Sequence, residues 1–240
     1  MTRSTERRTA AGILIVATVA ANAAFVGLGS TFEYPDVLQK PTPEILQLFL
    51  SAQASTMAWF AILALGAAML APASVLLARQ FKGATARWPA RLGVAAAIVQ
   101  VIGLSRWFLI IPGLAARATD GTATASQRAA ASSSFETAHR VLGSIVGETL
   151  GYTLTAAWTV AVLIAVGPAL ARLWFKALGF AGATLIFLGV LVPLGLPGAD
   201  TANFIGYIVW SVWVLMLAVK LLLPEGPQRA ATGTLAPSST

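Results

Sequence analysis

The 240-residue chain contains no cysteine and only one histidine, His139. The first absence excludes disulfides, thiolate nucleophiles, zinc–thiolate clusters, c-type haem attachment and iron–sulfur centres. The second excludes bis-histidine haem within one chain and leaves no set of histidines for a metal site. Neither a metal nor a cofactor is therefore expected. Charge is scarce as well, with Asp, Glu, Lys and Arg making up 10% of the chain against about 25% in a soluble domain. So few charges cannot cover a water-facing surface. Several catalytic motifs are also missing: no Walker loop, no Asp-rich prenyl-diphosphate pair, no His-Glu-x-x-His and no Gly-x-Ser-x-Gly. No apolar run carries a lysine suited to retinal, and no repeat relates residues 1–120 to 121–240, which argues against an inverted-repeat transporter.

What the chain does have is length of apolar sequence. Six runs, at about 10–29, 54–78, 91–114, 141–168, 174–196 and 203–222, are long enough for the ~20 helical residues that cross a hydrocarbon core. None alternates as a membrane barrel strand would. The expected fold is all-α, a polytopic membrane bundle of six transmembrane helices over 10–222. A basic segment, 1–9, precedes it, and a polar tail, 223–240, reads as disordered. Eleven Lys and Arg fall on the side of the chain ends and four on the other, while six acidic residues fall opposite and two beside the ends. By the positive-inside rule both termini are cytoplasmic, and the net charge of +7 reports topology. Nucleic acid is not an expected partner, because the basic residues do not cluster with stacking aromatics. A rival reading makes Arg7-Arg8, the apolar run and Ala21-Asn22-Ala23 a secretory signal. That run extends through Phe25-Val26, and a retained span keeps the count even, so retention is expected.

The loops carry their own signals. Thr42 followed by Pro43 reads as a helix start, and Glu44 to Ser51 as a helix along the outer interface. The third loop, about 115–138, is rich in Ala, Ser and Thr and reads as loosely ordered.

Only Arg106 and Glu148 among 25 charged side chains fall well inside an apolar run. Burying either costs several kcal/mol, which makes an intramembrane charge a functional hypothesis by default. Counting from the outer ends of their spans, Arg106 lies at a depth of about 12 Å and Glu148 at about 10 Å. Consecutive spans usually neighbour each other, so an Arg106–Glu148 ion pair is expected. Two roles are open for it: a clamp between the third and fourth spans, or a polar pocket that takes an anion or exchanges a proton. Snorkelling of Arg106 to the headgroups is a third.

The fourth run carries most of the pattern. Gly143, Gly147 and Gly151 recur every four residues, a spacing that lets a neighbouring helix approach closely. At 100° per residue, Ser144, Glu148, Tyr152 and Thr155 form a polar stripe beside them. His139, nine residues before Glu148, falls on the opposite face of a regular helix, which argues against a His–Glu dyad. It reads as an interfacial histidine capping a helix end, with a proton relay as the other role. Asp200, in the tight outer loop Pro197-Gly198-Ala199-Asp200, is a further carboxylate candidate.

Three segments resemble a known family: Phe32-x-Tyr34-Pro35-Asp36-Val37-Leu38; Gly103-Leu104-Ser105-Arg106-Trp107 with Pro112; and His139-Arg140-x-x-Gly143-x-x-x-Gly147-Glu148-x-Leu150-Gly151-Tyr152 with Trp158-Thr159. Over about 10–222 the chain is similar to a bacterial six-helix integral membrane family, domain of unknown function 4386. The resemblance implies a six-helix domain in a bacterial plasma membrane, and it carries no activity with it.

The functional expectation is an integral membrane protein that binds a small or lipidic molecule in an outward-facing polar pocket, as carrier, sensor or accessory subunit. Arg106, Glu148, Tyr152 and Trp107 are the expected ligand contacts, and the lipid bilayer is the expected partner. The alternative is a membrane-embedded enzyme on an apolar substrate such as an isoprenoid, with Glu148, Asp200 or His139 as acid or base. A purely structural partner of a larger complex is the third reading.

Overall fold

The computed structural model describes residues 2–166 and 172–223, and no strand occurs among them. The expected tail from 224 onward lies outside the described residues, as do residues 167 and 168 at the end of the expected fourth span. Helix α1 (Arg3–Phe32) starts at Thr2, whose hydroxyl accepts from the Thr5 N–H, and stops where Glu33 turns into the left-handed region at φ 53°. A 3-10 turn over Asp36–Gln39 leads to α2 (Thr42–Ser51), which has Pro43 in its first turn. Its apolar face, Ile45, Leu46 and Phe49, is buried.

Next come α3 (Gln53–Ala78) and α4 (Arg87–Leu109). The chain breaks at Ile110 into a short α5 (Ile111–Ala118), where Pro112 has no N–H to continue the ladder. Helix α6 (Ala125–Ala138) runs unbroken through a π-helical segment, His139–Leu150, into α7 (Gly151–Ala165). Helix α8 (Leu173–Leu188) ends in 3-10 turns over Gly189–Leu194, and α9 (Ala199–Leu222) completes the described chain.

Six helical stretches are long and apolar enough to cross a membrane: Arg3–Phe32, Gln53–Ala78, Arg87–Ala118, Ala125–Ala165, Leu173–Leu194 and Ala199–Leu222. The all-helical six-span expectation holds. Each span packs on the next and the last packs on the first, so the six close into a ring. Arg7 Nη2 donates to the Leu223 carbonyl at 3.0 Å and Arg79 pairs with Glu6 at 2.9 Å, which gathers both described ends and the α3–α4 turn at one end of the bundle.

The third loop is not loosely ordered. Thr124 and Gln127 form a reciprocal capping box that starts α6, and Ala131 and Phe135 bury its inner face. The 41 residues from Ala125 to Ala165 would extend about 60 Å as a helix, so the polar, serine-rich α6 projects beyond a ~30 Å hydrocarbon layer. Its low hydropathy hid it from a search for apolar runs.

Two apolar cores divide the bundle. One, at the end of the described chain termini, is built around Trp158 and Trp213 with Leu14, Leu77 and Phe175. The other, at the far end, surrounds Trp107, which stacks on Phe60 at 4.8 Å and meets Phe32 edge-on at 5.0 Å. Between them hydrogen bonds tie the ring together. Gln100 Nε2 donates to Thr155 Oγ1 (2.7 Å), Trp210 Nε1 to Thr159 Oγ1 (2.8 Å) and Asn22 Nδ2 to Ser211 Oγ (3.0 Å).

The seam between α4 and the fourth span brings backbone against backbone. A Cβ at Gly103 would come within 2.7 Å of the Gly147 Cα, so the two backbones meet without side chains between them. Gly143 faces the Arg106 guanidinium and Gly151 faces Gln100 Cγ, so all three glycines of the fourth span abut α4. Gly103→Val should therefore force the helices apart and cost about 1–3 kcal/mol in thermal unfolding of the lipid-reconstituted protein. Gly113→Ala, with open space around its Cβ, should be neutral or slightly stabilising in the same measurement.

Candidate functional site

Arg106 lies near the last turn of α4 with 4% of its surface exposed. Its Nη1 donates to the Gly103 carbonyl of its own helix, and the guanidinium lies 5.2 Å from the Trp107 ring centre. Nη2 fills the space left by Gly143, where a Cβ would approach it to 2.9 Å. Nε has no partner. Among the described residues no carboxylate oxygen lies within 4 Å of Arg106.

The expected direct ion pair with Glu148 is therefore absent, and the antiparallel seam shows why. Positions 106, 103 and 100 of α4 stand against 143, 147 and 151. Glu148, one residue past Gly147, turns off that seam. The two charges still sense each other, but they do not touch.

Glu148 is half-buried, with the Ser144 hydroxyl beside its carboxylate. Its other neighbours were largely missed by sequence reasoning. Tyr34, Tyr152 and Tyr207 are the only three tyrosines in the chain, and each lies within electrostatic reach of Glu148. They come from three places: the loop after α1, the start of α7 and the middle of α9. Tyr152 and Tyr207 meet at 5.9 Å between ring centres, and Phe25 bridges Tyr207 (6.3 Å) to Tyr34 (5.9 Å). Only Tyr152 was picked out, because it shares a helix with Glu148. Tyr34 appeared within a loop motif, and Tyr207 carried no signal beyond the scarcity of its residue type.

The other candidates fall elsewhere. Trp107 is fully buried in the far aromatic core, touched on its faces and edges by Phe32, Phe49, Phe60 and Phe135. Asp200 is exposed in the first turn of α9, where its Oδ1 accepts from the Thr201 N–H. It does not occupy a desolvated pocket. His139 does not cap a helix end, since the helix runs through it. It stacks on Phe135 at 5.9 Å, and its Nδ1 is buried without a partner.

The opposite-face expectation for His139 and Glu148 also changes. In a π-helix, with i→i+5 bonds and about 4.4 residues per turn, nine residues complete about two turns. The Thr149 hydroxyl follows that register, donating to the Ser144 carbonyl five residues back at 2.9 Å. His139 and Glu148 thus share a side of the fourth span, and the charge of Arg106 reaches both.

Together these residues make a polar cluster beside the Trp107 core: one cation, one carboxyl and three phenols. Outside the spans, burial pushes the Tyr34 phenol up to about 12; the nearby Glu148 adds to the shift and Arg106 opposes it. Tyr34 therefore stays an O–H donor throughout the physiological range. An unfolded tyrosine ionises near pH 10, so the folded state favours the neutral form. That contribution to stability is complete below pH 10 and disappears as pH rises to about 12. Melting temperature followed from pH 9 to 12 should fall less steeply in Tyr34→Phe than in the wild type.

Over residues 9–218 the sequence matches a family model described as Domain of unknown function (DUF4386). No curated protein and no solved structure matches it. A match across most of the chain, on an all-helical protein with six spans, leads to one statement: the chain belongs to the DUF4386 family.

Proposed function

We propose that the protein binds the anionic group of a small or lipidic molecule against Arg106, as a carrier, sensor or accessory subunit in a bacterial plasma membrane. Arg106 lies beside the Trp107 core, at the end of the bundle opposite the described termini; with both termini cytoplasmic, that end faces outward. The observation that supports this reading is the state of Arg106. A guanidinium buried in a membrane span normally has a carboxylate or several acceptors around it. Here it has one carbonyl of its own helix, an unpartnered Nε and no carboxylate within 4 Å among the described residues. An incoming carboxylate or phosphate would supply the missing acceptors in the bidentate geometry that arginine favours.

The phenol of Tyr34 adds a neutral donor nearby. Glu148 acts in the opposite sense, because its negative charge disfavours a second anion. A membrane enzyme acting on an apolar substrate, with Glu148 as general acid, is the second reading. It draws on the same half-buried carboxyl and its hydroxyl neighbours.

The test uses the purified full chain and thermal shifts with dodecanoate, dodecyl phosphate and uncharged dodecanol. One or both anions should raise the melting temperature, and dodecanol should not. Arg106→Met should remove that response yet fold at least as well as the wild type without ligand, since it replaces an unpaired buried cation by an apolar side chain. A loss of ~3–5 kcal/mol in Arg106→Met would mark the arginine as structural instead. Glu148→Gln should strengthen the anion response; a variant that binds as before but turns over no isoprenoid substrate would favour the enzyme.

A further inference from the structure

A separate surface feature lies at the other end of the bundle, beside the described termini. Between the start of α4 and the end of α7 a groove of about 350 Å³ is lined by Thr85, Trp88, Leu92, Val160, Ala161 and Ile164. Trp88 and Ile164 are 45% and 62% exposed, so the groove faces outward from the ring. In a bilayer an apolar depression on that surface is in contact with acyl chains, which can fill it with dispersion contacts.

The mouth of the groove is basic. Arg87 and Arg91, four residues apart on α4, flank the Trp88 ring at 5.9 and 5.6 Å from its centre. Both are exposed, and neither has a carboxylate within 4 Å among the described residues. The two walls of the groove come from long acid-free stretches: no Asp or Glu occurs between Glu44 and Asp120, or between Glu148 and Asp200. Lys82 adds a further positive charge in the turn before α4.

We propose that this groove is a binding site for an anionic phospholipid. One acyl chain lies along Leu92, Val160 and Ile164, and the phosphate sits on Arg87 and Arg91, beside an interfacial tryptophan. Basic pockets between spans are where anionic headgroups are selected over zwitterionic ones. The site is separate from Arg106 and stands whether or not an anion binds there.

The experiment is native mass spectrometry of the detergent-purified full chain with phosphatidylglycerol or phosphatidylcholine of identical acyl chains, and with inorganic phosphate. The wild type should retain phosphatidylglycerol with a preference on the order of 30-fold, from two arginines at the headgroup. Arg87→Gln with Arg91→Gln, both at exposed positions, should reduce that preference to near unity while Arg106→Met leaves it intact. Ala161→Phe, which fills the groove and keeps both arginines, should release both lipids. Equal retention of the two lipids by the wild type would overturn the proposal. So would binding of phosphate alone at comparable strength, or an unchanged preference in the double variant.

Discussion

The backbone contact between Gly103 and Gly147 sets the geometry of everything around it. With no side chain between α4 and the fourth span, the two helices lock in one antiparallel register. Arg106 then lies over Gly143 and Gln100 beside Gly151. A larger residue at the contact would move the guanidinium off the space that Gly143 leaves for it. The π-helical turns belong to the same arrangement. Within them Glu148, one residue past Gly147, lies off the seam and within electrostatic reach of the three tyrosines.

Around that seam the protein separates its chemistry by depth. Both apolar cores are aromatic, centred on Trp158 and Trp213 at one end and on Trp107 at the other. Several polar side chains between them are tied to a neighbouring helix by a hydrogen bond. Arg106 stands apart among them, charged, with one carbonyl of its own helix and an unpartnered Nε. Removal of that charge therefore distinguishes a structural role from a binding one.

Much of the architecture was legible because hydrophobicity and charge act over the whole chain. Twenty apolar residues are needed to cross hydrocarbon whatever their neighbours, so the spans followed from composition. The α2 helix followed from Thr42, Pro43 and an apolar face. Helix α6 escaped because it is helical without being apolar. Its start depends on a capping box and its inner face on one phenylalanine, both local signals that a hydropathy pattern does not contain.

The site divides along the same line. Arg106 and Glu148 could be singled out from sequence because a charge in an apolar run is costly wherever the run packs. The glycine spacing similarly marked the fourth span as one that a neighbour can approach. Sequence alone therefore determined which residues carry unusual chemistry and that six helices hold them. Tertiary structure decided who meets whom: that the cation folds back on its own helix, that Glu148 turns toward tyrosines from the loop after α1, from α7 and from α9, and that His139 shares its side. Those contacts depend on the pitch of one π-helical segment and on the register of one glycine seam. Both are set by packing between helices, which no periodicity of 3.6 within a single helix encodes.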